Sequence, residues 1–146
     1  MPNSRRIVLP LPGKWLKPNT TIGSRGQRMA KANQTKEYRR NAWLAATAAD
    51  PNFGPLEHAT VQCFFYFPCS RRRDKDNCLA SMKAAFDGIA DAGWVADDAD
   101  MTHLPVQINK DKDQPRVEIV VTDEAHAADK LRRECADSKS DLEIDQ

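Results

Sequence analysis

A chain of 146 residues, 40% hydrophobic and 29% charged, has room for one modest core and predicts a single domain over residues 1–146. Its 22 Lys and Arg nearly balance 21 Asp and Glu, so any charge signal lies in their distribution rather than in the total. No run approaches the about 20 apolar residues that span a bilayer, and the four cysteines form no Cys-x-x-Cys pair. A membrane partner, a zinc site and a disulfide framework are therefore not expected, and the thiols read as reduced, in a cytoplasmic protein.

The first forty residues carry ten basic side chains against one acid, Glu37. Such asymmetry points to a polyanionic partner on one surface. Residues 7–9 predict a short strand, ended by Pro10 and Pro12. Residues 13–33, with scattered Gly, Pro, Asn and Ser, predict a long basic loop. A helix is expected over residues 34–49, with Tyr38, Ala42, Ala45 and Ala49 on one face and Asp50-Pro51 as its stop. Arg25, Arg28 and Lys31 on the loop, and Lys36, Arg39 and Arg40 at the helix start, are candidate contacts to that polyanion. After a connector over residues 52–58, residues 60–67 predict a strand that turns Val61, Cys63, Phe65 and Phe67 to one side.

The stretch from Arg71 to Asp98 is the most informative. Arg71, Arg72 and Arg73 abut Asp74 and Asp76, and Asp97-Asp98 closes the segment. Arginines suit phosphate, and clustered carboxylates suit a divalent ion that activates water, so the pattern points to metal-dependent phosphodiester chemistry. If extended backbone persists past Pro68, Asp74 and Asp76 share a face. Asp76 or Asn77 then caps a helix of about residues 79–92, on which Leu79, Met82, Phe86 and Ile89 are spaced helically and which Gly93 ends. A plainer reading makes Asp76 a cap only and the arginines a solvated turn. Asp87 and Asp91 are assigned to the exposed helix face, and Trp94 to the core or a dimer contact.

Further on, residues 104–108 predict an edge strand on account of Pro105, residues 109–115 a polar hairpin turn, and residues 116–121 a strand with Val117, Ile119 and Val121 inward. Asn109, Asp111 and Asp113 imitate the start of a calcium loop, but Gln114 and Val120 stand where the turn glycine and the final glutamate belong. A terminal helix is expected over residues 125–135, followed by an acidic tail over residues 137–146.

The run Phe65-Tyr66-Phe67-Pro68, the Arg-rich turn, Asp74-x-Asp76-Asn77, the block from Lys83 to Gly88 and Asp97-Asp98 together resemble the RusA family. These are small homodimeric Holliday-junction endonucleases, common in phages and prophages. The resemblance implies that Asp74, Asp76 and Asp98 are catalytic carboxylates linked to Mg2+, with Mn2+ as a substitute and Asp97 as a supporting ligand. It also implies a catalytic lysine. Its usual place falls on Ala80 here, and Lys83, one helical turn later, is the substitute. Arg71, Arg72 and Arg73 would hold DNA beside the site.

The expected fold is α+β, a small mixed β-sheet with packed helices, assembled as a homodimer. The expected function is magnesium-dependent resolution of four-way and other branched DNA in the bacterial or phage-infected cytoplasm. The competing readings are a branched-DNA binder without catalysis and an interaction protein whose aspartates only cap helices. The chain after Gly93 is expected to fold back along the helix and bring Asp98 to Asp74 within one subunit.

Overall fold

A computed structural model describes residues 3–124. The expected helix over residues 125–135 and the acidic tail lie outside them. Five strands and three helices follow in the order β1 (Ser4–Leu9), α1 (Arg25–Ala49), β2 (Ala59–Phe67), α2 (Lys75–Ala80), α3 (Lys83–Asp91), β3 (Met101–His103), β4 (Gln107–Lys110) and β5 (Arg116–Asp123). Short 3-10 turns at Lys14–Leu16 and Asp98–Asp100 complete the set.

β2 organises the sheet. β5 runs antiparallel along its whole length, and β1 lies antiparallel outside β5. On its other edge, β3 pairs parallel with Ala59, Thr60 and Val61, and β4 pairs parallel with residues 64–67. Mixed strand directions and helices on the sheet make this an α+β fold. Period-two alternation explains the burial. Val61, Cys63, Phe65 and Phe67 turn to one face and meet Ile7, Leu9, Val117, Ile119 and Val121 there. Helices α1 and α3 cover that face with Tyr38, Ala42, Ala46, Ala85, Phe86 and Ile89. Large residues such as Phe65, Ile89 and Trp94 are fully buried, each stabilising the fold by about 1.5–3 kcal/mol. Cys63 lies in this core, where burial pushes its thiol up to about 12.

The two helices touch through small residues. A Cβ at Gly88 of α3 would sit 2.2 Å from the Arg39 carbonyl and 2.8 Å from Ala42 Cβ, so glycine sets the contact. The exposed rim of the pair is tied by Arg39, which donates to both carboxylate oxygens of Asp91 at 2.6 and 2.9 Å. Gly93 ends this helical unit with φ +84°, a left-handed conformation that glycine adopts without strain.

Several expectations are corrected. The basic loop is shorter than residues 13–33, because α1 begins at Arg25. Ser24 Oγ caps it by accepting from the Gln27 N–H at 3.1 Å, while the side-chain Oε1 of Gln27 accepts from the Ser24 N–H at 3.2 Å. Ala46 rather than Ala49 is the buried residue of its last turns. The single helix over residues 79–92 is two helices, broken at Ser81-Met82, with buried Met82 filling the junction. Pro105 lies between β3 and β4 rather than inside one strand. The segment from β4 to β5 is no hairpin, because β2 lies between those strands. Its polar residues instead form a closed turn. The Asp111 N–H donates to the Phe67 carbonyl at 2.8 Å, and Arg116 donates to Asp111 at 2.7 Å.

Candidate active site

Pro68 follows the end of β2, and the next residues turn rather than staying extended. Asp74, not Asp76 or Asn77, caps α2, with its Oδ1 accepting from the Asp76 N–H at 2.9 Å. The two aspartates therefore sit at a helix start rather than on one face of a strand. Both are exposed. Arg73 immediately precedes them and is held in place. Its guanidinium lies 3.7 Å over the Phe67 ring, and one N–H reaches Cys69 Sγ at 3.5 Å. Its Nε is buried without a hydrogen-bond partner among the described residues. The Arg71 backbone N–H, with Arg73 beside it, lowers the Cys69 thiol below the usual range. Arg71 and Arg72 are exposed.

This turn forms one wall of a cleft of about 360 Å³. The opposite wall is the segment after β1, which brings Leu11, Pro12, Lys17, Pro18 and Asn19 to face Asp74. Lys17 and Asn19 are absent from the sequence-derived site. The only signal for them was their place in a basic loop, since the approach of that loop to the Arg-Asp turn is a tertiary contact.

The remaining site residues are dispersed. Lys83 is the exposed first residue of α3, beyond the break that separates it from α2, so no continuous helix carries it on the face of Asp76. Arg25, Arg28 and Lys31 lie exposed on the first turns of α1, not on a loop. Lys36 and Arg40 are exposed on the same helix, whereas Arg39 is engaged by Asp91. Asp97 is exposed and caps the turn that starts at Asp98 by accepting from the Ala99 N–H at 3.3 Å.

The backbone joins Asp98 and Asp74 to opposite ends of β2. After Gly93 the chain does turn back, but Leu56 donates its N–H to the Trp94 carbonyl, and Val95 bridges Leu56 in parallel, ahead of β2. Met101 is level with Ala59, the first residue of β2, while Asp74 follows its last, Phe67. Eight residue steps of strand separate those levels, about 26 Å at about 3.3 Å per residue. The three residues from Asp98 to Met101 are partly coiled as a 3-10 turn and recover only a fraction of it. Asp98 is therefore joined to the first residue of β2 through β3, and Asp74 to its last through the turn at Pro68. Among the described residues no group of three His, Cys, Asp or Glu side chains has a metal-binding arrangement.

A cleft that joins Asp74 to Lys17, Arg71 and Arg72 is the kind of setting phosphodiester chemistry uses. Residues 12–122 match the family of RusA endodeoxyribonucleases, and the chain belongs to that family. It is accordingly an endodeoxyribonuclease, and the family implies Holliday-junction resolvase activity. No curated protein sequence matches the chain. No helix among the described residues is long and apolar enough to cross a membrane.

Proposed function

We propose that the protein is a homodimeric, divalent-metal-dependent nuclease that cuts four-way DNA junctions by paired hydrolysis of opposed strands. The observation that carries this reading is the place of Asp74, two residues from Asp76, on a cleft also lined by Lys17, Arg71 and Arg72 in a chain of this family. The donor set suits a hard cation. Two exposed carboxylates leave room for the waters and substrate phosphate oxygens that Mg2+ keeps around one or two protein ligands, with Mn2+ as a substitute. When bound, such an ion supplies an activated water and neutralises charge on the phosphate.

The protein's own residues do the rest. Arg73, fixed over Phe67, presents a preorganised cation beside the ion site, and Arg71 and Arg72 steer the backbone. Lys83 offsets charge developing on the scissile phosphate. Arg25, Arg28, Lys31, Lys36 and Arg40 hold a DNA arm along α1, with Arg39 positioned by Asp91. In this reading Asp98, supported by Asp97, reaches the Asp74–Asp76 pair from the partner subunit. Two-fold symmetry then gives two sites, the number that paired nicks require. Action on branched DNA fits the bacterial or phage-infected cytoplasm and a part in recombination, repair or phage DNA processing.

A synthetic four-way junction tests the reading. With Mg2+ the wild type resolves it to nicked duplexes, and Asp74→Asn binds it without cutting. Metal-independent retention of the junction by the wild type, with no cutting, would instead establish the binding-only alternative.

A further inference from the structure

The cleft beside Asp74 holds more than an ion requires. Its volume of about 360 Å³ falls in the range of pockets that bind small organic groups, about 300–1,000 Å³. Leu11, Pro12, Pro18 and Pro68 line it, and Arg73, whose guanidinium covers the Phe67 ring, adds a flat cationic face. A metal ion with its waters and a phosphate has no use for such walls, whereas a flat heteroaromatic ring does.

Polar groups meet in the same cleft. Asn19 comes from the loop wall and Asn77 from the second turn position after Lys75 on α2. Neither carboxamide has a side-chain hydrogen bond among the described residues. The Ser81 hydroxyl, by contrast, is committed to the Cys78 carbonyl at 2.6 Å. A carboxamide offers one acceptor and two donors, the combination that reads a base edge. Lys17, Arg71 and Arg72 lie at the rim, where the phosphates flanking an inserted base would pass. Asp74 also lines the cleft, so its occupant belongs to a nucleotide next to the bond being cut.

We propose that this cleft is a nucleobase pocket, which takes one base swung out of the stack at the branch point and reads its edge with Asn19 and Asn77. The proposal rests on the nuclease reading and deepens it. A base inside continuous duplex is held by stacking and pairing on both sides and does not enter. A base at a strand exchange has lost part of that support, and extrusion is cheapest there. One pocket thus favours branched over linear DNA and imposes a sequence preference on the cut.

The test has two arms. In the first, 2-aminopurine, a base analogue that is dark when stacked and bright when unstacked, is placed singly at the branch and within an arm. The junction is then bound by Asp74→Asn protein, which does not cut. The proposal predicts that fluorescence rises several-fold at one branch position and stays flat in the arm. In the second, wild type and Asn19→Ala are compared on junctions carrying every dinucleotide at the crossover. The ratio of best to worst cutting rate should fall by about tenfold in Asn19→Ala, the scale of losing one base-edge contact. No brightening at any branch position, or an unchanged rate ratio in Asn19→Ala, overturns the pocket. If the wild type cuts no junction, the nuclease reading fails by itself, and the fluorescence arm still decides the pocket.

Discussion

Asp74 carries two tasks on one carboxylate. One oxygen caps α2 through the Asp76 N–H, and the group also faces the cleft. Asparagine caps a helix about as well as aspartate, so Asp74→Asn should leave the melting temperature essentially unchanged while cutting is lost. Asp74→Ala should lose the cap as well, at a cost of about 1 kcal/mol readable by denaturant titration. Lys83→Ala should slow cutting by about two orders of magnitude or more, the scale of one lost transition-state charge partner. Unchanged turnover would move that task to another cation. Asp91 tests the electrostatics. Its bond from Arg39 holds the carboxyl below the usual range. The stability it contributes is therefore present above the unfolded carboxylate pKa of about 3.9 and is lost as pH falls through the lower folded value. Both partners are about half exposed, so Asp91→Asn should cost no more than about 1 kcal/mol at pH 7. The difference in melting temperature between the two proteins should vanish in acid and persist unchanged from pH 5 to pH 8.

Among the elements, β2 and β5 were plain in the sequence because each repeats an inward apolar residue at every second position. The start of α1 was not, because nothing in it before Tyr38 is buried and no apolar period exists to be seen. The available signal was Ser24-x-x-Gln27, a capping box. The break at Ser81-Met82 was hidden for the opposite reason. Met82 is buried at the junction, so the apolar spacing runs on across the interruption. The cleft beside Asp74 was not legible, since its other wall comes from the segment after β1. Pairing of β4 with β2 was equally out of reach, because a polar turn does not say which strand lies beyond it. Two predictions belong at this scale. Gly88→Ala forces a methyl against the Arg39 carbonyl and should destabilise the fold by about 1–3 kcal/mol, measured by urea unfolding. Replacing Arg25, Arg28 and Lys31 by alanine should weaken binding to all DNA and lower the slope of log K against log salt by about 2–3, as expected when that many phosphate contacts go. An unchanged slope would remove the first turns of α1 from the interface.

At the scale of the whole molecule, the proposed shared site makes one protomer an incomplete enzyme. β2 works as a spacer, with the Asp74–Asp76 pair beyond its last residue and the segment from Asp98 joined to its first. A two-fold axis crossing the middle of that strand would exchange the ends, setting each subunit's Asp98 toward the other's pair. Mixing Asp74→Asn subunits with Asp98→Asn subunits measures this directly. Each mutant alone should be inactive. In a mixed dimer with shared sites, one site gathers both substitutions and the other has none, so the mixture should nick a four-way junction in the presence of Mg2+. If the mixture stays as inactive as its parents while mass measurement confirms that mixed dimers have formed, each site is built within a single subunit and the shared centre is wrong.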